Sequence, residues 1–261
     1  MKDTWKPDWM RTVRHPAFMK GSDDDSPMFV SFGPTQFLWG NMPALDILNL
    51  KDNEGGAGMT KQDMALLFAA SGDLRNVVKT ISALPETYKG ECLVVINDIQ
   101  TIIVVRNVIM LLVAFNFDTE VAVPMMIHIW YSAALPRSMV DALQSTILVL
   151  IEDVCNKIKD KPSGSIHAKT FVSKCSKLRV VLKKEEWLEL AKHLTVPKIL
   201  TLAESQELRR RITLAPERID YRDRDMLLRS GALREVDYRF RSEGILLPYG
   251  CSMDAFDTPN P

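Results

Sequence analysis

The chain has 261 residues, 46% of them hydrophobic, and carries 33 basic and 33 acidic side chains for a formal net charge of zero. That apolar content supplies the core of one large α/β domain or two small ones, and the even charge excludes attraction to nucleic acid or an anionic membrane through bulk electrostatics. Four cysteines, Cys92, Cys155, Cys175 and Cys251, form no C-x-x-C pair, which fits inert, reduced thiols in an intracellular, cytoplasmic protein better than a disulfide framework or a zinc site.

The N-terminal stretch mixes charges and lacks an apolar signal segment, so residues 1–27, rich in Trp, Pro and charge, are expected as an extended arm. A single domain is expected over 28–261. A short strand, Met28 to Phe32, precedes FLWGNMPALDILNL, where Pro43 suits an early helical position and Ala44, Leu45, Ile47 and Leu48 supply an apolar face. Trp39, Gly40 and Asp46 mark this segment as a candidate cleft or partner surface.

The clearest pattern is KQDMALLFAASGDLRNVVKTISALPETYKGECLVVINDIQ. It reads as a buried strand (Met64 to Ala70), a small-residue turn (Ser71, Gly72, Asp73), a helix (Leu74 to Leu84) and a second strand ending at Asn97 and Asp98. Such a βαβ unit sets a turn and a helix N-terminus at the carboxyl end of a parallel strand, where ligands sit in open α/β sheets. The expected fold class is therefore α/β, a mostly parallel sheet with helices on both faces and a helical addition. A helical insert is expected over about 118–170.

Downstream, Ile99 to Phe117 is apolar nearly all round and too interrupted to span a membrane; Arg106 and Asn107 are its polar exceptions, expected to pair internally or face a cleft. A second apolar helix covers Val123 to Leu135, with His128 read as a satisfied core residue. Ser138 to Lys159 is amphipathic, with Ser138 and Asp141 as a capping box. Lys177 to Leu182 reads as a strand, Glu185 to Leu194 as a helix, and Thr201 with Glu204 caps a helix running to about Thr213. Between Glu217 and Gly244 arginines alternate with acids, the pattern of an ion-pair-laced surface rather than a phosphate-binding stripe. Ile245 to Leu247 reads as a last short strand.

The turn after the first strand carries the best candidate chemistry. Ser71, Gly72 and Asp73 would bring backbone N–H groups and a helix dipole to a ligand, with Asn97 and Asp98 on the neighbouring strand end, while Arg75 is a candidate cleft or partner residue. The segment AASGDLRN has one glycine where G-x-G-x-x-G has three, and Asp73 repels a pyrophosphate, which favours S-adenosylmethionine or no cofactor over NAD. No G-x-S-x-G, H-E-x-x-H or P-loop motif is present, so no catalytic residue and no metal ligand is assigned.

The segments FLWGNMPALDILNL, LLFAASGDLRNVVKTISALPETYKG, VVINDIQTIIVVRNVIMLL, IHIWYSA, KLRVVLKKEEW, IDYRDR, GILLPYG and FDTPNP resemble a domain of unknown function found in fungal proteins that also carry a MYND zinc finger. The opening WKPDWMRTVRHPAF resembles the linker after that finger, although the finger's Cys/His cluster is absent, and DTPNP resembles a point where relatives continue. The W-G-x-x-P-A-L-D motif (Trp39 to Asp46) and Asp73-Leu74-Arg75 are also similar to the N-terminal region of an axonemal dynein assembly factor. This likeness implies a methyltransferase-type Rossmann-like fold used in protein assembly without established catalysis. The reading that follows is an interaction or assembly module with a protein partner. The alternative is an S-adenosylmethionine-dependent methyltransferase, although the N/D-P-P-[YF] tetrapeptide of active enzymes is missing.

Overall fold

The computed structural model describes residues 5–19, 39, 40, 42–50, 52, 53, 61–173, 176–248 and 250–261. In chain order the first elements are α1 (Asp8–Arg11), β1 (Met64–Ala69), α2 (Arg75–Ser82), β2 (Cys92–Asn97), α3 (Thr101–Asn116), α4 (Thr119–Tyr131) and β3 (Ala134–Leu135). Then follow α5 (Arg137–Ala142), α6 (Val149–Ile158), β4 (Ile166–Ser173), β5 (Ser176–Lys183) and α7 (Lys184–Lys192). The last are α8 (Leu202–Thr213), α9 (Ile219–Leu227), α10 (Gly231–Glu243) and β6 (Thr258–Pro259). Two compact units result, one from Phe37–Ala122 and Thr146–His193, the other from Met1–Gln36, Val123–Ser145 and Leu194–Pro261. The expected boundaries at 27, 118 and 170 do not follow this division.

In the first unit, β1 and β2 pair in parallel from Met64 beside Cys92 to Ala69 beside Asn97. The period of two turns Met64, Leu66, Phe68, Val94 and Ile96 inward and leaves Ala65, Leu67, Leu93 and Val95 outward. The apolar α3 buries Ile103, Val105, Met110, Leu112 and Val113. The antiparallel hairpin β4–β5 turns Phe171, Val180 and Leu182 inward, and α7 contributes Trp187 and Leu190, both fully buried. Trp187 satisfies its indole N–H on His167 O at 3.2 Å. The buried Cys155 thiol donates to Trp187 O at 3.4 Å, and burial pushes its pKa up, as expected of an inert thiol.

The second unit gathers around the stretch after α4. Ala133 receives Ser205 Oγ on its carbonyl at 2.6 Å and donates its N–H to Gly244 O at 2.6 Å. Gly244 ends α10 in the left-handed region (φ 74°), where a Cβ would also press on Ala133. On α9, two acids are buried: Asp220 takes a fork from Arg14 (2.7 and 2.6 Å) and the Ala17 N–H, and Asp223 takes the Asp8 N–H at 2.8 Å. Trp9 meets Phe18 edge-on, and the Arg224 guanidinium lies over the Phe18 ring at 5.0 Å.

Several sequence expectations are corrected. The described part of the arm, residues 5–19, is not extended; it forms a helical turn and a 3₁₀ turn held to α9 by those carboxylates. Ser138 and Asp141 form no capping box, because Asp141 pairs with Arg137 instead. The helix expected over Val123 to Leu135 starts at Thr119 and ends at Tyr131, and Leu135 belongs to β3. A π-helical turn, Leu143–Leu148, interrupts the amphipathic run. Ile245 to Leu247 is not a ladder strand, since Leu246 donates its N–H to the Ser132 hydroxyl. Strands β4 and β6 were not foreseen. The Thr201–Glu204 capping box is present, with bonds of 3.2 and 2.7 Å. The expected strand Met28 to Phe32 lies outside the described residues, and among the described residues no helix is long and apolar enough to cross a membrane.

The Arg14 fork holds the Asp220 carboxyl below its ordinary pKa. A carboxylate depressed in the folded state stabilises it above the unfolded pKa and loses that contribution as pH falls further. Replacing Arg14 by Ala strands a buried carboxylate, and a cost of about 1–3 kcal/mol is expected at pH 7. Arg11→Ala, at an exposed ion pair, is expected to change stability by less than about 0.5 kcal/mol. Urea melts from pH 7 to pH 3 check this: the Arg14→Ala deficit should shrink below about pH 4 as the carboxyl protonates.

Candidate functional site

The turn between β1 and α2 brings most of the sequence-selected residues together through hydrogen bonds among themselves. Ala70 and Gly72 both adopt left-handed φ (50° and 59°), which reverses the chain within three residues. Gly72 donates its N–H to Asp98 Oδ2 at 2.9 Å, so the turn and the end of β2 share one rim. The other Asp98 oxygen accepts the Gln100 N–H at 2.9 Å, next to the start of α3. Ser71 donates its N–H to Asn97 O at 3.0 Å. From α3, Asn107, only 3% exposed, donates Nδ2–H to Gly72 O at 2.8 Å. Arg106, its neighbour, is partly buried.

Asp73 is also 3% exposed. Its Oδ2 accepts the Gly40 N–H at 2.6 Å and the Arg75 guanidinium at 3.1 Å, while Oδ1 takes the Arg75 backbone N–H at 3.2 Å. A buried carboxylate needs such partners, and a charge-assisted bond of this kind contributes about 1.5–3 kcal/mol. A Cβ at position 40 would fall on the Arg75 guanidinium and displace it from Asp73.

The same contact explains why FLWGNMPALDILNL is not helical where described. Leu45 donates its N–H to Asn76 Oδ1 at 2.9 Å and Ile47 to Thr80 Oγ1 at 3.0 Å. With Gly40 on Asp73, alternating loop amides are committed to one polar stripe of α2 and its leading turn, at positions 73, 76 and 80. Pro43 offers no donor, and Asp46 closes a local turn by accepting the Leu48 N–H at 3.0 Å. Trp39 begins the loop, partly buried.

Asn76 and Thr80 are the residues that the sequence reading passed over. Their signal is the spacing of three and seven from Asp73 on a helix whose Val77 is buried. His128, read as a satisfied core residue, bonds Ser132 Oγ at 3.0 Å and meets Phe256 edge-on; burial lowers its pKa. Among the described residues, no group of three or more His, Cys, Asp or Glu side chains is placed to hold a metal.

Chemically, the backbone donors of the rim are bonded to the Asp73 and Asp98 carboxylates and to the Asn97 carbonyl. The Gly72 N–H is taken by Asp98, and each Asp98 oxygen accepts one backbone N–H. Gly40→Ala is expected to destabilise the unit by about 1–3 kcal/mol by pushing Arg75 off the buried Asp73 carboxylate. Adding Arg75→Ala should recover part of that loss, giving a coupling above about 0.5 kcal/mol in a double-mutant cycle. Chemical denaturation of the four chains measures it, and additive costs would place the clash elsewhere.

Residues 38–135 match a family model described as a domain of unknown function (DUF4470). The matched span covers less than half of the chain and contains the Trp39 loop, the βαβ unit, α3, α4 and β3. No curated protein and no solved structure matches the chain.

Proposed function

We propose that this chain is a non-catalytic interaction or assembly module, intracellular, that binds a protein partner through the first unit. In this reading β1, α2 and β2 are one repeat of a Rossmann-like sheet kept for its surface rather than for a cofactor. The observation that carries the reading is the inversion of polarity around the turn. Polar side chains (Asp73, Asn76, Thr80, Asp98, Asn107) are tied to backbone groups. Apolar ones stand in solvent.

Leu67 is 64% exposed and Leu93 58%, and the register puts Leu67 beside Val95 and Ala65 beside Leu93 on one face. Parallel strands ordinarily have both faces covered, so an uncharged face of this kind favours a protein partner. The pinned loop adds Met42, Leu45 and Ile47, also exposed. Nothing in this arrangement calls for nucleic acid or a membrane surface.

A second reading, an S-adenosylmethionine-dependent methyltransferase, is favoured by one feature. Asn107 Oδ1 is a buried acceptor with no hydrogen bond from the described residues, and a buried acceptor calls for a donor such as a water or a ligand amine. Its amide is oriented by the bond to Gly72 O, so a ligand would meet Oδ1 and not Nδ2.

Two measurements decide between the readings. Titration calorimetry with S-adenosylmethionine at pH 7 is expected to give no saturable heat; binding on the order of micromolar, lost on Asp98→Ala, would establish the enzyme reading. Leu67→Lys with Val95→Lys is expected to leave the melting temperature within a few degrees, because both side chains are already solvated, while abolishing capture of a partner by the immobilised chain. A large drop in melting temperature would instead mean that the face is part of the chain's own core.

A further inference from the structure

One stretch departs sharply from the neutral charge of the whole. Between positions 157 and 184 nine lysines and arginines stand against a single acid, Asp160, and the stretch includes the β4–β5 hairpin of the first unit. Part of this positive charge is used within the unit. Lys157 pairs with Asp153 at 2.7 Å, Lys169 lies over the Phe171 ring, and Lys184 Nζ donates to the carbonyls of Lys159 and Lys161. Lys177, Arg179 and Lys183 are different: all three are exposed on the outer face of β5, and among the described residues no carboxylate pairs with them. The acids that follow are committed elsewhere, Glu185 to Ser163 and Gly164, Glu186 to the Lys183 backbone N–H.

The same face carries aliphatic side chains where the solvated side of an antiparallel sheet is ordinarily polar. Ile166 is 68% exposed, Val172 69% and Val181 51%, while Phe171, Val180 and Leu182 fill the inner face. The register sets Ile166 beside Lys183 and Val172 beside Lys177, with Arg179 and Val181 between them on β5. An aliphatic row on β4 therefore runs beside a mostly cationic row on β5, about 4.8 Å away.

That pairing selects the class of partner. A groove for single-stranded nucleic acid sets aromatic rings among its cations for the bases to stack on; the residues interleaved here are aliphatic. A membrane-binding surface keeps its apolar side chains on one face and its cations on the other, whereas Ile166 and Val172 stand directly beside Lys183 and Lys177. An extended peptide meets both rows at once. Its successive side chains point to opposite sides, and residues two apart recur every 6.6 Å or so, roughly the separation of Lys177 and Arg179 along β5. We infer that the outer face of β4–β5 is a docking surface for an acidic, extended segment of a protein partner, in which acids alternate with aliphatic residues. The acids meet β5 and the aliphatic side chains meet β4. The surface is separate from the β1–β2 face and does not depend on it.

The test uses the full chain and a fluorescein-labelled peptide of sequence GEVDVEVDVG, followed by anisotropy. Saturable binding on the order of 10 μM is expected at low salt, weakening as screening rises from about 50 to about 200 mM salt. Lys177→Thr with Arg179→Thr should weaken it at least roughly tenfold, as should a peptide with Ser in place of each Val. Thr suits an exposed strand position, so the melt is expected to be retained. A second variant, Ile166→Thr with Val172→Thr, reaches the face from the other strand with every charge intact and is also expected to weaken binding. Absence of saturable binding overturns the inference, and so does binding that either folded variant leaves unchanged. Tighter binding of an oligothymidylate, or of phosphatidylserine vesicles, than of the peptide through these same residues overturns it equally.

Discussion

One buried carboxylate fixes the first unit. Asp73 sits where strand, turn and helix meet, almost wholly out of water, and a charge there is tolerable only with the Gly40 N–H and the Arg75 guanidinium around it. That requirement propagates. Because Gly40 approaches this closely, a Cβ at position 40 would displace the Arg75 guanidinium from Asp73; because the loop then runs along α2, its next donors meet Asn76 and Thr80. Because those amides are committed, the loop cannot coil into a helix, and Met42, Leu45 and Ile47 are left facing water.

The chemistry of the rim follows from the same constraint. In a cofactor-binding turn the backbone donors point at the ligand, and the acid on the next strand waits for a ribose. Here Asp98 satisfies Gly72 and Gln100, and Asn107 satisfies the Gly72 carbonyl. The parallel pairing of β1 and β2 thus goes with a turn whose Gly72 N–H and carbonyl are both bonded within the unit.

Sequence pattern made the βαβ unit legible because three independent signals agreed: alternation in two short runs, a small-residue turn and a helical stripe between them. The shared rim of Gly72 and Asp98 followed from that topology. The Trp39 loop misled because Pro43 followed by Ala44, Leu45, Ile47 and Leu48 has a helix-like spacing, and local pattern carries no information about donors captured 30 residues away. Asp220 and Asp223 were read as surface charges for the same reason. Alternating Arg and Asp within α9 suggest local ion pairs, whereas the groups that bury these acids come from residues 8, 14 and 17, with Arg222 a local partner of Asp223. The strand pair β3–β6, two residues wide, is too short for periodicity to register.

These misses share a physical form. The loop on α2, the arm on α9 and the segment 256–260 on β3 are each held by side chains that satisfy backbone groups far away in sequence. Such bonds replace the ladder and cap interactions that regular elements make with near neighbours, so they leave no periodic trace and are visible as paired motifs instead. A chain with W-G-x-x-P-A-L-D but without an acid at 73, an amide at 76 and a hydroxyl at 80 would leave three loop donors without acceptors, at about 1–3 kcal/mol each where they are buried. One half of the pair has no physical use without the other, and the two stretches behave as a single structural unit although 26 residues separate the end of the first motif at Asp46 from Asp73.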